Sequence, residues 1–160
     1  MFDFFKKKDK DIEIGSPVKG EAVAIKEVSD PTFGDEILGK GVAIIPSEGK
    51  IYAPADGKIE MIFDTKHAVS MTTVDGAELL IHIGLDTVAL KGEYFEAHRA
   101  NGDLVKKGDL LISVDLAAVK AAGYDTITPV VVCNTPEYQS VNAVTGSQVN
   151  PGDTVLILKK

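Results

Sequence analysis

Imidazole is the side chain best suited to taking up and passing on a group near neutral pH, and the 160-residue chain carries three: His67, His82 and His98. His82 stands inside Leu79-Leu-Ile-His-Ile-Gly84, an otherwise unbroken apolar run. Strand side chains alternate faces, so Leu79, Ile81 and Ile83 share one face and Leu80 and His82 the other. If the first face is core, His82 lies on a surface with apolar neighbours. The alternative is a buried histidine whose ring nitrogens are satisfied by backbone. Gly84 lets backbone approach the ring. A carbonyl bonded to one ring nitrogen fixes the tautomer and frees the other as a nucleophile. Thr87 and neighbouring amides are candidates for holding phosphate oxygens. Asp86 would repel a phosphoryl group and suits a partner's cation or a local backbone group.

His67 lies in Asp64-Thr-Lys-His-Ala-Val-Ser70, at or just after a turn, with Val69 and Met71 as its face partners and Phe63 on the preceding strand. It is either an exposed turn residue or half of an active pair with His82. As a pair on neighbouring strands, one ring would accept a phosphoryl group and the other would donate a hydrogen bond to it. Thr65 is placed to orient His67. His98, in Glu93-Tyr-Phe-Glu-Ala-His-Arg-Ala100, is expected on the polar face of a short helix.

Short strands must position these side chains. From Pro17 onward, runs rich in Val, Ile and Thr alternate with Gly, Pro, Asn and Asp. They are Val18–Ile25, Gly41–Ile45, Lys58–Phe63, Ala68–Thr73, Leu79–Ile83, Leu110–Val114, Ile127–Val132 and Thr154–Leu158. Only Glu93–Ala100 and Leu116–Ala122 read as short helices. The expected fold is all-β, an antiparallel sandwich or barrel-sandwich with one or two short helices. Two near-repeats point to duplication. Gly102-Asp-Leu-Val-Lys-Lys-Gly-Asp-Leu-Leu111 matches Gly146-Ser-Gln-Val-Asn-Pro-Gly-Asp-Thr-Val155, and Ser16-Pro-Val-Lys-Gly20 matches Ala53-Pro-Ala-Asp-Gly57. Residues 1–15 are expected to be a flexible tail and residues 16–160 one domain. Phe2, Phe4 and Phe5 followed by Lys6, Lys7, Lys8 and Lys10 would suit weak contact of residues 1–10 with a membrane surface.

The net charge is −7, with no basic block, which argues against nucleic acid as a partner. No apolar run is long enough to span a bilayer. The absence of a secretory signal and the single cysteine, Cys133, lead us to expect a cytoplasmic protein.

Gly76-Ala-Glu-Leu-Leu-Ile-His-Ile-Gly-Leu-Asp-Thr-Val88 resembles, at every position, the signature of glucose-class enzyme IIA proteins of the bacterial phosphoenolpyruvate-dependent sugar phosphotransferase system. Val42-Ala-Ile-Ile-Pro46, Tyr52-Ala-Pro-Ala-Asp-Gly57, Thr65-Lys-His-Ala-Val-Ser70, Leu90-Lys-Gly-Glu93 and Thr128-Pro-Val-Val-Val132 extend the likeness over residues 16–160. The resemblance implies an antiparallel sandwich built from a duplicated motif. It implies that His82 accepts phosphate from the histidine phosphocarrier protein HPr and donates it to a cysteine of enzyme IIB. His67 would be the second active-site histidine and Thr65 its hydrogen-bonding neighbour. The contact face would use Phe33, Leu38, Phe63, Leu80, Gly84, Asp86 and Val88. No cofactor and no metal is implied; the pair His67 and His82 would by itself suit only incidental zinc.

Two other readings have less support. A biotinyl or lipoyl carrier needs a lysine at a hairpin tip, typically in Met-Lys-Met, but Met61 is followed by Ile62 and Phe63. A zinc peptidase of related fold needs a His-x-His pair, and the His82–Asp86 spacing stands without one.

Overall fold

Period-two burial organises the chain. The computed structural model describes residues 11–160. Fourteen strands occur among them: β1 (Ile12–Gly15), β2 (Gly20–Ala24), β3 (Lys40–Pro46), β4 (Lys50–Tyr52), β5 (Gly57–Ile62), β6 (Ala68–Thr73), β7 (Glu78–His82), β8 (Phe95–Ala97), β9 (Leu104–Val105), β10 (Leu110–Val114), β11 (Thr128–Val132), β12 (Ser140–Ala143), β13 (Ser147–Val149) and β14 (Thr154–Lys159). Two short helices join them, α1 (Pro31–Gly34) and α2 (Leu116–Ala121). β6 and β10 have the bounds the sequence indicates.

Every strand pairing is antiparallel. One eight-stranded sheet has the order β13-β2-β3-β11-β7-β6-β5-β9, and two three-stranded sheets have the orders β1-β14-β12 and β4-β10-β8. The large sheet is open, with β13 and β9 at its two ends. Its inner face contributes Ile44, Ile59, Met71, Leu79 and Ile81, which pack with Ile14, Ile51, Leu111, Leu156 and Leu158 of the small sheets in one buried core. Burying a side chain of this size stabilises the fold by about 1.5–3 kcal/mol.

The duplication runs through the whole fold. Read inward from either end of the large sheet, β13 answers to β9, β2 to β5, β3 to β6 and β11 to β7. The small sheets follow suit, β1 with β4, β14 with β10 and β12 with β8. The bulges of the small sheets agree, since the register slips at Ile14/Gly15 against β14 and at Leu110/Ile112 against β4, whereas in the large sheet β5–β6 slips at Ile59/Met61 and β2–β3 runs without a slip. The two matched turns are built alike. Asp109 accepts from the Lys106 amide at 2.9 Å, and Asp153 accepts from the Asn150 amide at 2.8 Å. Gly108 and Gly152 each take φ +93°, where a side chain would be strained. The Gly15 and Tyr52 amides donate across the seam to Pro54 and Pro17 carbonyls. By register, Ala68 opposite His82 corresponds to Gly41 opposite Val131.

Two sequence expectations need correction. Glu93–Ala100 is not a helix: Lys91, Gly92 and Tyr94 take positive φ, which interrupts helical geometry, and β8 then buries Phe95 against β10. The true signal there was alternation, with Phe95 inward and Glu96 outward. His98 is exposed as expected, but it follows a strand. The second correction concerns the tail. Residues 12–15 pair with β14, and Ile14 is fully buried. Residues 1–10, with their expected membrane contact, lie outside the described residues.

Candidate functional site

The site begins with β7. Leu79, Ile81 and Ile83 point into the core, while Leu80 and His82 face outward and are half-buried, as alternation requires. The chain then turns sharply through Gly84, at φ +78°. A Cβ there would come within 2.7 Å of Thr87 Cγ2 and 2.8 Å of the Asp125 carbonyl oxygen, so the turn has room only for glycine. This geometry directs the Gly84 carbonyl back onto the ring: His82 Nδ1 lies 2.7 Å from it. Because a carbonyl can only accept, Nδ1 carries the proton, and Nε2 of the neutral ring keeps its lone pair.

His67 arrives differently. Strict alternation would put it on the same face as the buried Val69 and Met71, away from His82. It escapes because it precedes β6, in the five-residue connection from β5, where Lys66 takes φ +60°. The backbone still continues the ladder, since the Ile83 amide donates to the His67 carbonyl at 2.7 Å. The two imidazoles meet edge to face, with centroids 4.9 Å apart. His67 is 5% exposed, so it is a buried partner and not a turn ornament. Thr65 Oγ1 lies 2.6 Å from His67 Nδ1, the contact expected of an orienting hydroxyl.

Both rings are held neutral. Burial lowers the His67 pKa to about 4, and the neighbouring His82 adds to the effect. Burial also lowers His82, opposed by the Gly84 carbonyl and the Asp30 and Asp86 carboxylates.

The aromatic residues expected at the rim flank the pair. Phe33 is buried, its centroid 4.8 Å from that of His82, and Phe63 stands edge-on to His67 at 5.5 Å. Val88 is exposed and, with Met61, Phe63, Thr65 and His67, lines a cleft of about 350 Å³. Leu80 packs beside the outer cluster that contains Phe33 and Val131. Asp86 is exposed at φ +60°. Leu38 is 40% exposed but lines a different cleft, with Ile37, Lys40 and Cys133. Thr87 departs from expectation: it is fully buried, and its hydroxyl donates to the Ile83 carbonyl at 2.6 Å, which leaves it unable to hold phosphate.

Sequence reasoning missed Asp30, whose charge reaches His82. Its signal was Asp30-Pro31, a helix start: the carboxylate accepts from the Thr32 amide at 3.0 Å and caps α1. Among the described residues, no group of three or more His, Cys, Asp or Glu converges as a metal cage.

A neutral histidine with a free Nε2, a second histidine against it and an apolar surround can take up and release a phosphoryl group. The chain resembles several known proteins. The family model described as phosphoenolpyruvate-dependent sugar phosphotransferase system, EIIA 1, matches residues 12–138. A glucose-specific EIIA component from Oceanobacillus iheyensis is 38% identical over 98% of this chain and 95% of its own length. A β-glucoside-specific EIIBCA component from Bacillus subtilis is 50% identical over 91% of this chain. The match spans only 24% of that larger protein. The solved structure of glucose permease IIA from Mycoplasma capricolum superposes with a TM-score of 0.86 at 36% identity, covering 94% of this chain and 97% of that one. On motif, architecture and likeness together, the chain belongs to the EIIA 1 family, the phosphate-carrying components of the sugar phosphotransferase system.

Proposed function

We propose that His82 is the phosphoryl acceptor, charged by phospho-HPr and discharged onto a cysteine of enzyme IIB, in the cytoplasm. The observation that carries this reading is the 2.7 Å contact of Nδ1 with the Gly84 carbonyl, which reserves Nε2 for chemistry. In the transfer, the Nε2 lone pair forms the new N–P bond as the donor's N–P bond breaks, and that electron pair returns to the donor nitrogen. The proton stays on Nδ1, where the Gly84 carbonyl steadies the positive character of the ring. In-line approach needs both histidines held at a dry interface, and Phe33, Phe63, Leu80 and Val88 supply apolar surface for it.

His67 is the second participant. With the Thr65 hydroxyl donating to Nδ1, its Nε2–H is left to donate to a phosphoryl oxygen. Asp30 and Asp86 would repel the incoming phosphate on their own, so a partner's cation between them and the phosphoryl group completes the charge balance. This suits a carrier that must part with its phosphate.

The test is incubation with phosphoenolpyruvate, enzyme I and HPr. Wild type should gain a base-stable, acid-labile phosphoryl adduct, and His82→Ala should gain none. An adduct that persists in His82→Ala overturns the assignment.

A further inference from the structure

The geometry points to Thr87 as a positioning residue that sets the tautomer of His82 without touching the phosphate; the inference rests on the reading of His82 as acceptor. The Gly84 carbonyl can select the Nδ1–H tautomer only if its own orientation is fixed, and a glycine offers no side chain to fix it. Three contacts bear on it from outside. The buried Thr87 hydroxyl donates to the Ile83 carbonyl at 2.6 Å, closing the turn Ile83–Thr87 on itself. The Thr87 methyl lies under the Gly84 α-carbon, 2.7 Å from where a Cβ would stand. The Leu85 amide donates to the Asp125 carbonyl at 3.0 Å, which pins the far side of the same Gly84–Leu85 peptide.

The first two contacts come from one side chain with two separable functions. The hydroxyl ties the peptide before Gly84 and decides its orientation, whereas the methyl only packs beneath the Gly84 α-carbon, a contact the turn can lose without rotating. Without the hydroxyl, the Ile83 carbonyl is buried and unpaired, and the turn is driven to rotate in search of a donor. The Gly84 carbonyl moves with it, away from Nδ1. The ring then samples both neutral tautomers, and in the Nε2–H form the nucleophilic lone pair is lost. Thr87 thus acts on catalysis through Ile83 and Gly84.

The paired variants are Thr87→Val, which keeps the shape and removes the hydroxyl, and Thr87→Ser, which does the reverse. Long-range ¹H–¹⁵N spectra of the His82 ring report the tautomer directly, and labelling by phospho-HPr reports the consequence. Wild type and Thr87→Ser should show a single Nδ1–H tautomer. Thr87→Val should show mixed tautomers and label about tenfold more slowly, the lower end of what groups that orient metal-binding imidazoles contribute. A single Nδ1–H tautomer in Thr87→Val overturns the inference. So do mixed tautomers in Thr87→Ser, a result that stands even if Thr87→Val fails to fold. If wild type shows the Nδ1–H tautomer but takes no phosphate, the fault lies with the acceptor reading and not with the role of Thr87.

Discussion

The two repeats share their strand order and the bulges of the small sheets, and they differ most in one connection. Between β2 and β3 the chain takes residues 25–39; between β5 and β6 it takes only 63–67. The long connection lays Ile25, Val28 and Phe33 over the outer face of the sheet, where they bury Val23, Ala43 and Val131. The short one covers nothing, and Met61, Ser70 and Thr72 stay partly or largely open. Val131 and His82 occupy equivalent strand positions. One is sealed into a second small core and the other is left half-open beside His67. The site lies where the duplication is least symmetric: the long connection brings Phe33 to it and the short one brings His67.

The sharpest way to break this comparison is to remove what the short connection delivers. His67→Gln should still label at His82 but pass phosphate to enzyme IIB on the order of 10²-fold more slowly, the scale for losing one preorganised donor. Unchanged onward transfer, measured by sugar phosphorylation with a IIB-containing permease, would make His67 structural only.

Next come the two aromatic walls. Phe33→Ala empties a buried site and should lower stability by about 3–5 kcal/mol. Phe63→Ala, at a half-buried position, should lower it by about 1 kcal/mol. Urea unfolding would decide; equal losses would mean the long connection is no better anchored than the short one.

Acid probes the same asymmetry. His67 binds no proton in the folded state until about pH 4, whereas the unfolded chain protonates near the ordinary histidine value of 6.5. Within that window the unfolded state holds more protons, so stability falls as pH falls. Between neutrality and about pH 4.5 the loss should be on the order of 2–3 kcal/mol, and His67→Gln should remove most of it. An unaltered pH dependence in that variant would place the titrating group elsewhere.

The smallest effect concerns backbone. Lys66 holds φ +60° in the short connection, and Glu36 holds φ +58° in the long one. Glycine at either position relieves about 1 kcal/mol of left-handed strain. Lys66→Gly should therefore raise the melting temperature slightly while loosening His67 and slowing onward transfer, whereas Glu36→Gly should only raise it. Identical effects on transfer would deny the short connection its special role.

These contrasts also explain what could be read from the sequence. Alternation placed His82 correctly, because β7 is a regular strand with Leu79, Ile81 and Ile83 marking its inner face. It could not place His67, whose approach depends on a turn outside the ladder. The turn glycines and aspartates disclosed the duplication, since the same local hydrogen bonds recur in both copies. Glu93–Ala100 misled because its charged residues mimic a helix face, while the positive φ angles of Lys91 and Tyr94 leave no compositional trace. Thr87 drew notice for its hydroxyl, but only burial reveals that the hydroxyl is already engaged. Asp30 went unread because its capping role conceals its proximity to His82.

One feature of the seam reaches beyond the site. β1 pairs with β14, setting Ile12 opposite Leu158. The first and last strands of the described fold therefore begin and end side by side. Such a module can be spliced ahead of, behind or into a longer protein without disturbing its own strand order. Matches to a free-standing relative and to one about four times longer are what an interchangeable cassette of this kind would leave behind.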